Sequence, residues 1–257
     1  MTSLIDRYVL GARVAPVVVV SLSLVLAISA WIPFSHWPMK LVGGTALLGI
    51  VGFVLAQLTR DAGKAIEGPL WASWGGAPSL RFFRHRDPSI PAGSKLAIHR
   101  RMVELAVVDH MPSAEDEDAD PGQADSVYRT CSDWLRRKAM ELKAKAPFDV
   151  VHSENIAYGF CRNMLGIKRY GLAIEGAAAL IAATAFFFGR QPFIELGGIA
   201  LLGSYLLFGV NEGAVKRAAE NYANRLMDSV QSIGPGKITR SPKPKAKAPK
   251  AGERSAV

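Results

Sequence analysis

Residues 14–33 read VAPVVVVSLSLVLAISAWIP and contain no Asp, Glu, Lys or Arg. A helix needs about 20 apolar residues to cross the hydrocarbon core of a bilayer. This stretch therefore predicts a membrane-spanning helix from Val14 to Pro33. A cleaved signal peptide, with a cleavage site at 27–30 (Ala-Ile-Ser-Ala), is the competing interpretation. The apolar run is too long for one, and a second apolar segment follows it at once.

That second segment, Leu41–Leu58, is again apolar and follows the first span after only a short connector at 34–40. A connector of this length allows a tight turn and little else. Residues 14–58 are therefore predicted to form a first transmembrane hairpin.

A second apolar block lies at 170–210, where Leu172–Phe188 and Pro192–Val210 are separated only by Gly-Arg-Gln. It predicts a second transmembrane hairpin. The predicted fold class is an all-α membrane protein in which two transmembrane helical hairpins flank a cytoplasmic, mainly helical domain at 59–169.

Basic residues predict the orientation of these spans. Lys and Arg flank the spans in the N-terminal arm 1–13, in the central segment and after the fourth span, whereas the hairpin turns hold only Lys40 and Arg190. Loops rich in Lys and Arg remain in the cytoplasm. Both termini and the central domain are therefore predicted to be cytoplasmic, in a multi-pass protein of the inner (plasma) membrane.

The overall composition hides this segregation. The chain has 257 residues, of which 49% are hydrophobic, and a net charge of +9. Residues 60–169 carry 17 Lys or Arg against 15 Asp or Glu, whereas residues 211–257 carry 10 against 4. These numbers exclude a uniform soluble globule and a mostly disordered chain.

The excess charge lies mainly in the C-terminal region. Residues 211–233 predict an amphipathic helix that continues the fourth span. Residues 234–257 are rich in Lys and Pro and predict a basic disordered tail. Such a tail beside the inner leaflet attracts anionic lipid, although nucleic acid or a solvated tether are alternatives.

The sequence of the central domain predicts three helices. Ser94–Val108 and Ser126–Lys145 carry apolar residues at helical spacing, and a third helix is predicted to be capped by Ser153 and to end at Gly166. The acidic, proline-containing segment 112–123 is predicted to be a solvated loop that lacks the ligand spacing of a calcium site.

The densest feature of the domain is the stretch 70–87, LWASWGGAPSLRFFRHRD. Arginines can pair with phosphates and aromatic faces can stack on bases, which predicts an anionic ligand site. The alternative is that the aromatic residues fill the core while the arginines face solvent or lipid phosphates. The candidate ligand-binding residues are Trp71, Trp74, Arg81, Arg84, Arg86, Arg100 and Arg101.

Other chemistry is not indicated by the sequence. The histidines match no zinc spacing, and Cys131 and Cys161 are expected to be free thiols of a reducing compartment. There is no nucleophile motif and no pair of carboxylates in an apolar context. The chain is therefore predicted to have no metal, no cofactor and no enzymatic activity.

Two glutamates lie inside the second apolar block, Glu175 and Glu195. A carboxylate in a span is costly and predicts a pore or interhelical contact, although both residues could also reach the headgroups. Small residues four apart favour close helix approach and homo-oligomers. Two such pairs occur here: Ala173 with Ala177, and Ala179 with Ala183.

The stretch 70–87, together with ADSVYRTCSDWLRRKA (124–139) and SENIAYGFCRNMLGIKRYG (153–171), resembles a group of uncharacterised bacterial four-span membrane proteins. The architecture also resembles small membrane effectors of anti-phage defence. That resemblance implies a cytosolic domain that senses a nucleotide or nucleic acid, and spans that disrupt the inner membrane.

The expected function is a homo-oligomeric inner-membrane channel or membrane-perturbing effector, in an antiviral setting, gated by an anionic nucleotide or nucleic-acid ligand on its cytoplasmic domain. The alternative is a membrane anchor or scaffold that holds a cytosolic protein partner. A membrane-associated enzyme is disfavoured because no catalytic residues are visible.

Overall fold

The structure, a computed structural model, describes residues 7–32 and 45–234, without the side chains of 45–51. Within these ranges the fold is all-α and has no β-strand, as predicted. The helices are α1 (Val9–Ser29), α2 (Thr45–Ser73), α3 (Pro78–Arg81), α4 (Ala92–Glu104), α5 (Ala114–Ala119), α6 (Pro121–Glu141), α7 (Phe148–Thr184), α8 (Phe193–Ser204) and α9 (Glu212–Asp228).

Two of these helices are long and apolar enough to cross a membrane: α1, and α7 with its 3-10 extension to Phe188. A third span results if α8, which continues as a π-helix to Gly209, is counted together with α9 as one bent segment. The predicted span Leu41–Leu58 begins outside the described residues, and so does the connector 34–40. Four spans therefore remain a prediction.

The long helix α7 corrects the sequence analysis. Phe148–Thr184 is one continuous helix, so the predicted end at Gly166 and the separate start of a span at Leu172 are wrong. Ser153 does not cap it either, because it lies inside the helix with its hydroxyl donating to the Asp149 carbonyl, 3.0 Å away. No proline separates the two predicted segments, and packing against α1 and α2 carries the helix through Gly166 and Gly171.

Helices α1 and α7 run parallel and in close contact. Near their start, a Cβ added at Gly159 would lie 2.8 Å from the Ala12 Cβ. Further along, a Cβ at Gly171 would lie 3.3 Å from the Val20 side chain. Small residues at these crossings let the two backbones approach, so the polar and apolar parts of the molecule share one continuous helix pair.

We call the packed polar part of the molecule, residues 59–169 with α9, the head. Buried residues from the segments around α3, α4, α6 and α9 and the first turn of α7 form its core. Burial of such side chains is the main driving force for packing. The largest of its fully buried side chains are Phe82, Phe83, Met102, Tyr128, Leu135, Leu226 and Met227.

The segment 211–233 does not continue the fourth span as predicted. The chain bends by 68° between α8 and α9, and the Asn211 side chain caps the new helix by accepting from the Ala214 N–H at 2.9 Å. The apolar face of α9, including Ala223 and Leu226, packs into the head, as does Val230 in the 3-10 turn that follows. Asparagine is a preferred N-cap because its side chain satisfies an orphan backbone donor. Residues 235–257, which include most of the predicted basic tail, lie outside the described residues.

The acidic segment 112–123 also differs from the prediction of a solvated loop. Residues Ala114–Ala119 form α5, which starts with a capping box in which Ser113 and Asp116 bond reciprocally. One of its acidic side chains, Glu117, is only 1% exposed. The helix therefore contributes a buried carboxylate to the head.

We call the packed apolar part, made by α1, the end of α7 from Gly171 and α8, the apolar bundle. Its centre is a set of small residues from α1 and α7 that pack against Ile199 of α8. Of the predicted alanine pairs, Ala173 and Ala177 are exposed, so their face of α7 is open to lipid or to another copy. The buried small residues are Ala27, Ala30, Ala178, Ala182 and Ala185.

Candidate ligand cavity

A cavity of about 850 Å³ opens where α2, α6, α7 and α9 meet in the head. Its volume lies in the range typical of small-molecule sites. Aromatic and charged side chains line much of it. These are Tyr8, Glu67, Trp71, Asp133, Arg136, Arg137, Glu141, Tyr158, Arg162 and Tyr222.

A buried ion pair forms one wall of the cavity. The Arg162 guanidinium donates to the Glu67 carboxylate at 2.8 Å, and the Tyr158 hydroxyl donates to the same oxygen at 2.7 Å. Arg162 is 6% exposed, and its guanidinium carbon lies 5.6 Å from the Tyr158 ring centroid. A buried pair of this kind is geometrically specific, because either partner alone would leave an uncompensated charge.

The same arginine is tied to the first span. Arg162 donates to the Asn163 side-chain oxygen at 3.1 and 3.2 Å, and the Asn163 amide donates to the Ala12 carbonyl at 2.7 Å. Asn163 also abuts Gly63 of α2. Arg162 is therefore linked to α2 through Glu67 and to α1 through Asn163.

The outer wall, on α6, carries two further arginines. Arg136 forms an ion pair with Asp133 on its own helix. The side chain of Arg136 is 40% exposed and that of Asp133 is 39% exposed. Arg137 is exposed and has no ion pair within the part of the chain that the structure describes. Exposed pairs are weak, so both guanidinium groups are available to an incoming anion.

The predicted arginine cluster has a different role. Arg81 donates to Asp87 at 2.5 Å and to the Trp74 carbonyl at 2.8 Å. Arg84 binds Asp125 through two parallel bonds of 2.8 Å. Arg84 thereby holds the loop 74–87 against α6, whereas Arg81 ties the loop to itself and reaches Glu220 of α9 at 3.4 Å.

The third arginine of the cluster is neutralised in the same way. Arg86 pairs with Glu117 at 2.9 Å and with Asp125 at 3.2 Å. Lys95, 3% exposed, donates to the carbonyls of Arg84 and Asp87, and burial lowers the pKa of its ammonium. The structure therefore brings Arg81, Arg84 and Arg86 together as a charge-balanced brace rather than an open anion site.

The remaining predicted ligand residues are separated. Trp71 lines the cavity, while Trp74 packs beside it against the buried residues shared by α2, α7 and α9. On α4, Arg101 donates to the Ile233 carbonyl at 2.5 Å and fastens the segment that follows α9, whereas Arg100 is exposed to solvent. Of the seven predicted residues, only Trp71 lines the cavity.

His99 and Cys131 pack as structural residues in the head. His99 is buried against Phe83 and Tyr128, and burial lowers its pKa to about 4, so its ring is neutral near pH 7. Burial raises the pKa of the Cys131 thiol to about 12. Among the described residues, no group of three His, Cys, Asp or Glu side chains could hold a metal ion.

The two glutamates of the second apolar block occupy different surroundings. Glu195 is half-buried in the first turn of α8. Glu175 is 5% exposed and faces α1, where the Ser23 hydroxyl donates to it. Glu175 is thus an interhelical residue and does not extend to the headgroups.

Comparison with protein-family models, with curated proteins and with solved structures gave no match. Function is therefore argued from the geometry. The cavity residues Glu67, Tyr158 and Arg162 were not among the sequence-based candidates. The sequence does carry a signal for two of them, because Tyr158 and Arg162 are four residues apart and side chains at that spacing meet on one face of a helix.

Proposed function

We propose that this protein is a membrane effector in which an anionic, nucleotide-sized ligand binds the head cavity and changes the packing of the spans, opening a homo-oligomeric channel. One observation carries the proposal. Helix α7 lines the cavity through Tyr158 and Arg162 and continues without a break into the apolar bundle. A ligand that contacts α7 in the head therefore acts on the same rigid element that crosses the membrane.

The chemistry of the cavity suits such a ligand. Guanidinium groups bind phosphates with two parallel hydrogen bonds, and Trp or Tyr rings offer stacking faces to a planar base. Arg136 and Arg137 supply the exposed cations at the outer wall, and Trp71 supplies an aromatic face within it. The cavity volume is sufficient for a small nucleotide and too small for folded nucleic acid.

The cavity and the apolar bundle are close together along α7. Arg162 and Glu175 are 13 residues apart on α7, which is about 20 Å of helix. Between them, α7 is in contact with α1 at Val20 and with α8 at Leu206. Packed helices slide or rotate in discrete steps, so a ligand that displaces Arg162 from Glu67 would bias the arrangement of all three spans.

Replacing the two exposed arginines tests the ligand site. We expect Arg136→Ala combined with Arg137→Ala to weaken nucleotide binding by about 100-fold, since each lost charge-assisted bond contributes about tenfold or more. The measurement is calorimetric titration of the full chain in detergent with a panel of mono-, di- and cyclic nucleotides. Arg225→Ala, an exposed arginine of α9 outside the cavity, is the matched control and should bind as the parent does. Equal affinities for all three proteins would remove the cavity from the proposal.

The effector itself is tested by ion flux. Full-length protein in liposomes should release a trapped ion when the nucleotide that binds best is added, and the doubly substituted variant should require about 100-fold more nucleotide. Nucleotide binding without any release would show that the spans do not form a ligand-gated pore.

A specific surface favours the alternative of a membrane scaffold. Leu96 and Val103 lie seven residues apart on α4, and their side chains are 55% and 38% exposed. An exposed apolar stripe on a helix is a common docking site for a protein partner. A scaffold predicts no ion flux at any nucleotide concentration, which separates the two functions.

A further inference from the structure

We propose that Glu175 is a proton-binding site in the apolar bundle, held by Ser23 of α1, and that at neutral pH it carries a proton as a carboxylic acid. The proposal rests only on the position and contacts of Glu175. It does not depend on the ligand cavity or on nucleotide binding.

The depth of the site follows from helix geometry. Glu175 is six residues beyond Arg169 on α7, which is about 9 Å, and Ser23 is nine residues beyond Val14 on α1, which is about 14 Å. Both groups therefore lie well inside a hydrocarbon core of about 30 Å. An ionised carboxylate at that depth is expensive unless a cation or several donors compensate it.

The contacts of Glu175 do not provide that compensation. The Ser23 hydroxyl lies 2.5 Å from one carboxylate oxygen, and the other oxygen is fully buried with no hydrogen-bond partner among the described residues. With this one hydroxyl, a neutral acid group is left with a single unmet hydrogen bond at its buried second oxygen. One hydroxyl is too little for a carboxylate, which can accept about four hydrogen bonds.

The two cationic side chains of α7 that precede the bundle, Lys168 and Arg169, are engaged elsewhere. On α7 itself, the Lys168 ammonium donates to the carbonyls of Leu207 and Val210, and Arg169 donates to the hydroxyl of Tyr170. The helices packed against α7 bring few titratable groups near it. These are Arg13 on α1, ten residues before Ser23; Arg60 on α2, paired with Asp61; and Glu195 and Tyr205 on α8.

The surroundings also suggest what the proton does. A Cβ added at Gly171, one turn before Glu175, would lie 3.1 Å from Leu206, within the π-helical segment Tyr205–Gly209 of α8. π-Helical turns are frequent at functional sites, where they permit local rearrangement. Loss of the proton would place a charge between α1 and α7 and drive α1, α7 and α8 apart or draw in water.

A hydrophobic carbodiimide tests the protonation state directly. The acid proton moves to a carbodiimide nitrogen as the carboxyl oxygen bonds to the central carbon, and the adduct rearranges to a stable N-acylurea with no leaving group. Trypsin then releases residues 170–190, YGLAIEGAAALIAATAFFFGR, in which Glu175 is the only carboxyl side chain. We expect dicyclohexylcarbodiimide to label this peptide of the full chain in liposomes at pH 7, and labelling to disappear in Glu175→Gln.

Two further arms fix the identity of the site. Glu195→Gln should leave labelling of the 170–190 peptide unchanged. Replacing choline by Na⁺ at constant pH and ionic strength should also leave it unchanged, because the site holds a proton and no metal cation. Protection by Na⁺, or an unlabelled peptide from a protein that remains monodisperse on gel filtration, would overturn the proposal.

Ser23→Ala separates a proton site from a merely structural contact and keeps Glu175 in place. The hydroxyl stabilises the ionised form more than the neutral acid, so its removal should favour the protonated group. We expect labelling of Ser23→Ala at pH 9 to exceed that of the parent by up to about tenfold. Equal rates for the two proteins across the pH range would show that Ser23 does not hold the site.

Discussion

Replacing Gly166 with alanine is expected to lower the thermal stability of the protein in detergent more than any other single methyl group added to α7. A Cβ at this position would lie 2.6 Å from the Ala62 carbonyl carbon and 2.6 Å from the Gly63 nitrogen. Both contacts are backbone atoms of α2, which cannot rotate away. The two helices must therefore separate along their length.

The expected cost is at the upper end of overpacking effects, about 3 kcal/mol, which corresponds to a fall of roughly 10 °C in Tm for a chain of this size. Gly176→Ala on the same helix is the matched control, because a Cβ there has no atom within 4 Å. That change should leave the Tm unchanged or raise it, since alanine favours a helix by about 0.5–1 kcal/mol over glycine. Similar melting temperatures for the two variants would contradict the close crossing of α2 and α7.

The same substitution also tests the proposed ligand site. Gly166 is one turn from Arg162, whose partner Glu67 lies on α2. Separation of α2 from α7 would lengthen that ion pair and open the cavity wall, so Gly166→Ala should bind nucleotide more weakly even where it remains folded. Titration of the variant at 10 °C, well below its expected Tm, measures this effect separately from unfolding.

Gly166 also shows where reasoning from the sequence fails. A glycine at the end of an apolar helical pattern predicts a C-cap, because it adopts the left-handed conformation at little cost. Here the glycine is needed for the opposite reason, a helix crossing that leaves no room for a side chain. Composition and spacing cannot distinguish the two cases, since the crossing partner lies about 100 residues away in the chain.

The apolar segments were easier to predict. A charge-free run such as 14–33 can bury its backbone polar groups in lipid only as a helix, so local sequence is sufficient. Local sequence does not predict the ion pairs of Arg81, Arg84 and Arg86. Arg84 and Asp125 are 41 residues apart, and only the tertiary fold shows that carboxylates from α5, α6 and α9 join Asp87 in neutralising the cluster.

The residues of the cavity are only partly predictable from the sequence. Trp71 was a candidate because aromatic and basic residues are dense around it, and it does line the cavity. Arg136 and Arg162 were not candidates because each occurs in an ordinary amphipathic helix, where an arginine usually faces solvent. Their significance comes from the convergence of α2, α6 and α7, which no local pattern records.

Glu117→Ala is expected to destabilise the head by about 3–5 kcal/mol, the cost of removing one partner of a buried ionic network. The Glu117 carboxylate accepts from the backbone N–H groups of His85 and Arg86 at 2.7 and 3.2 Å, from the Arg86 guanidinium at 2.9 Å and from the Tyr128 hydroxyl at 2.7 Å. Alanine leaves all four donors without their acceptor. Asp118→Ala, on the exposed side of the same short helix, is the matched control and should change the Tm little.

The same network predicts a dependence of stability on pH. Burial alone would raise the pKa of Glu117, but the hydrogen bonds from Tyr128, His85 and Arg86 and the charge of Arg86 together hold it below the ordinary value of 4.5. A carboxyl group whose pKa is lower in the folded state stabilises the protein above the unfolded pKa, and this contribution is lost as the pH falls through the folded pKa. The parent should therefore lose stability progressively below about pH 4.5, whereas Glu117→Gln, which cannot ionise, should be less stable at pH 7 and show a shallower decline. Thermal melts of both proteins in detergent from pH 7 to pH 3 measure the difference. If the Tm of the two proteins fell equally with pH, protonation of Glu117 would not be the cause of the loss of stability.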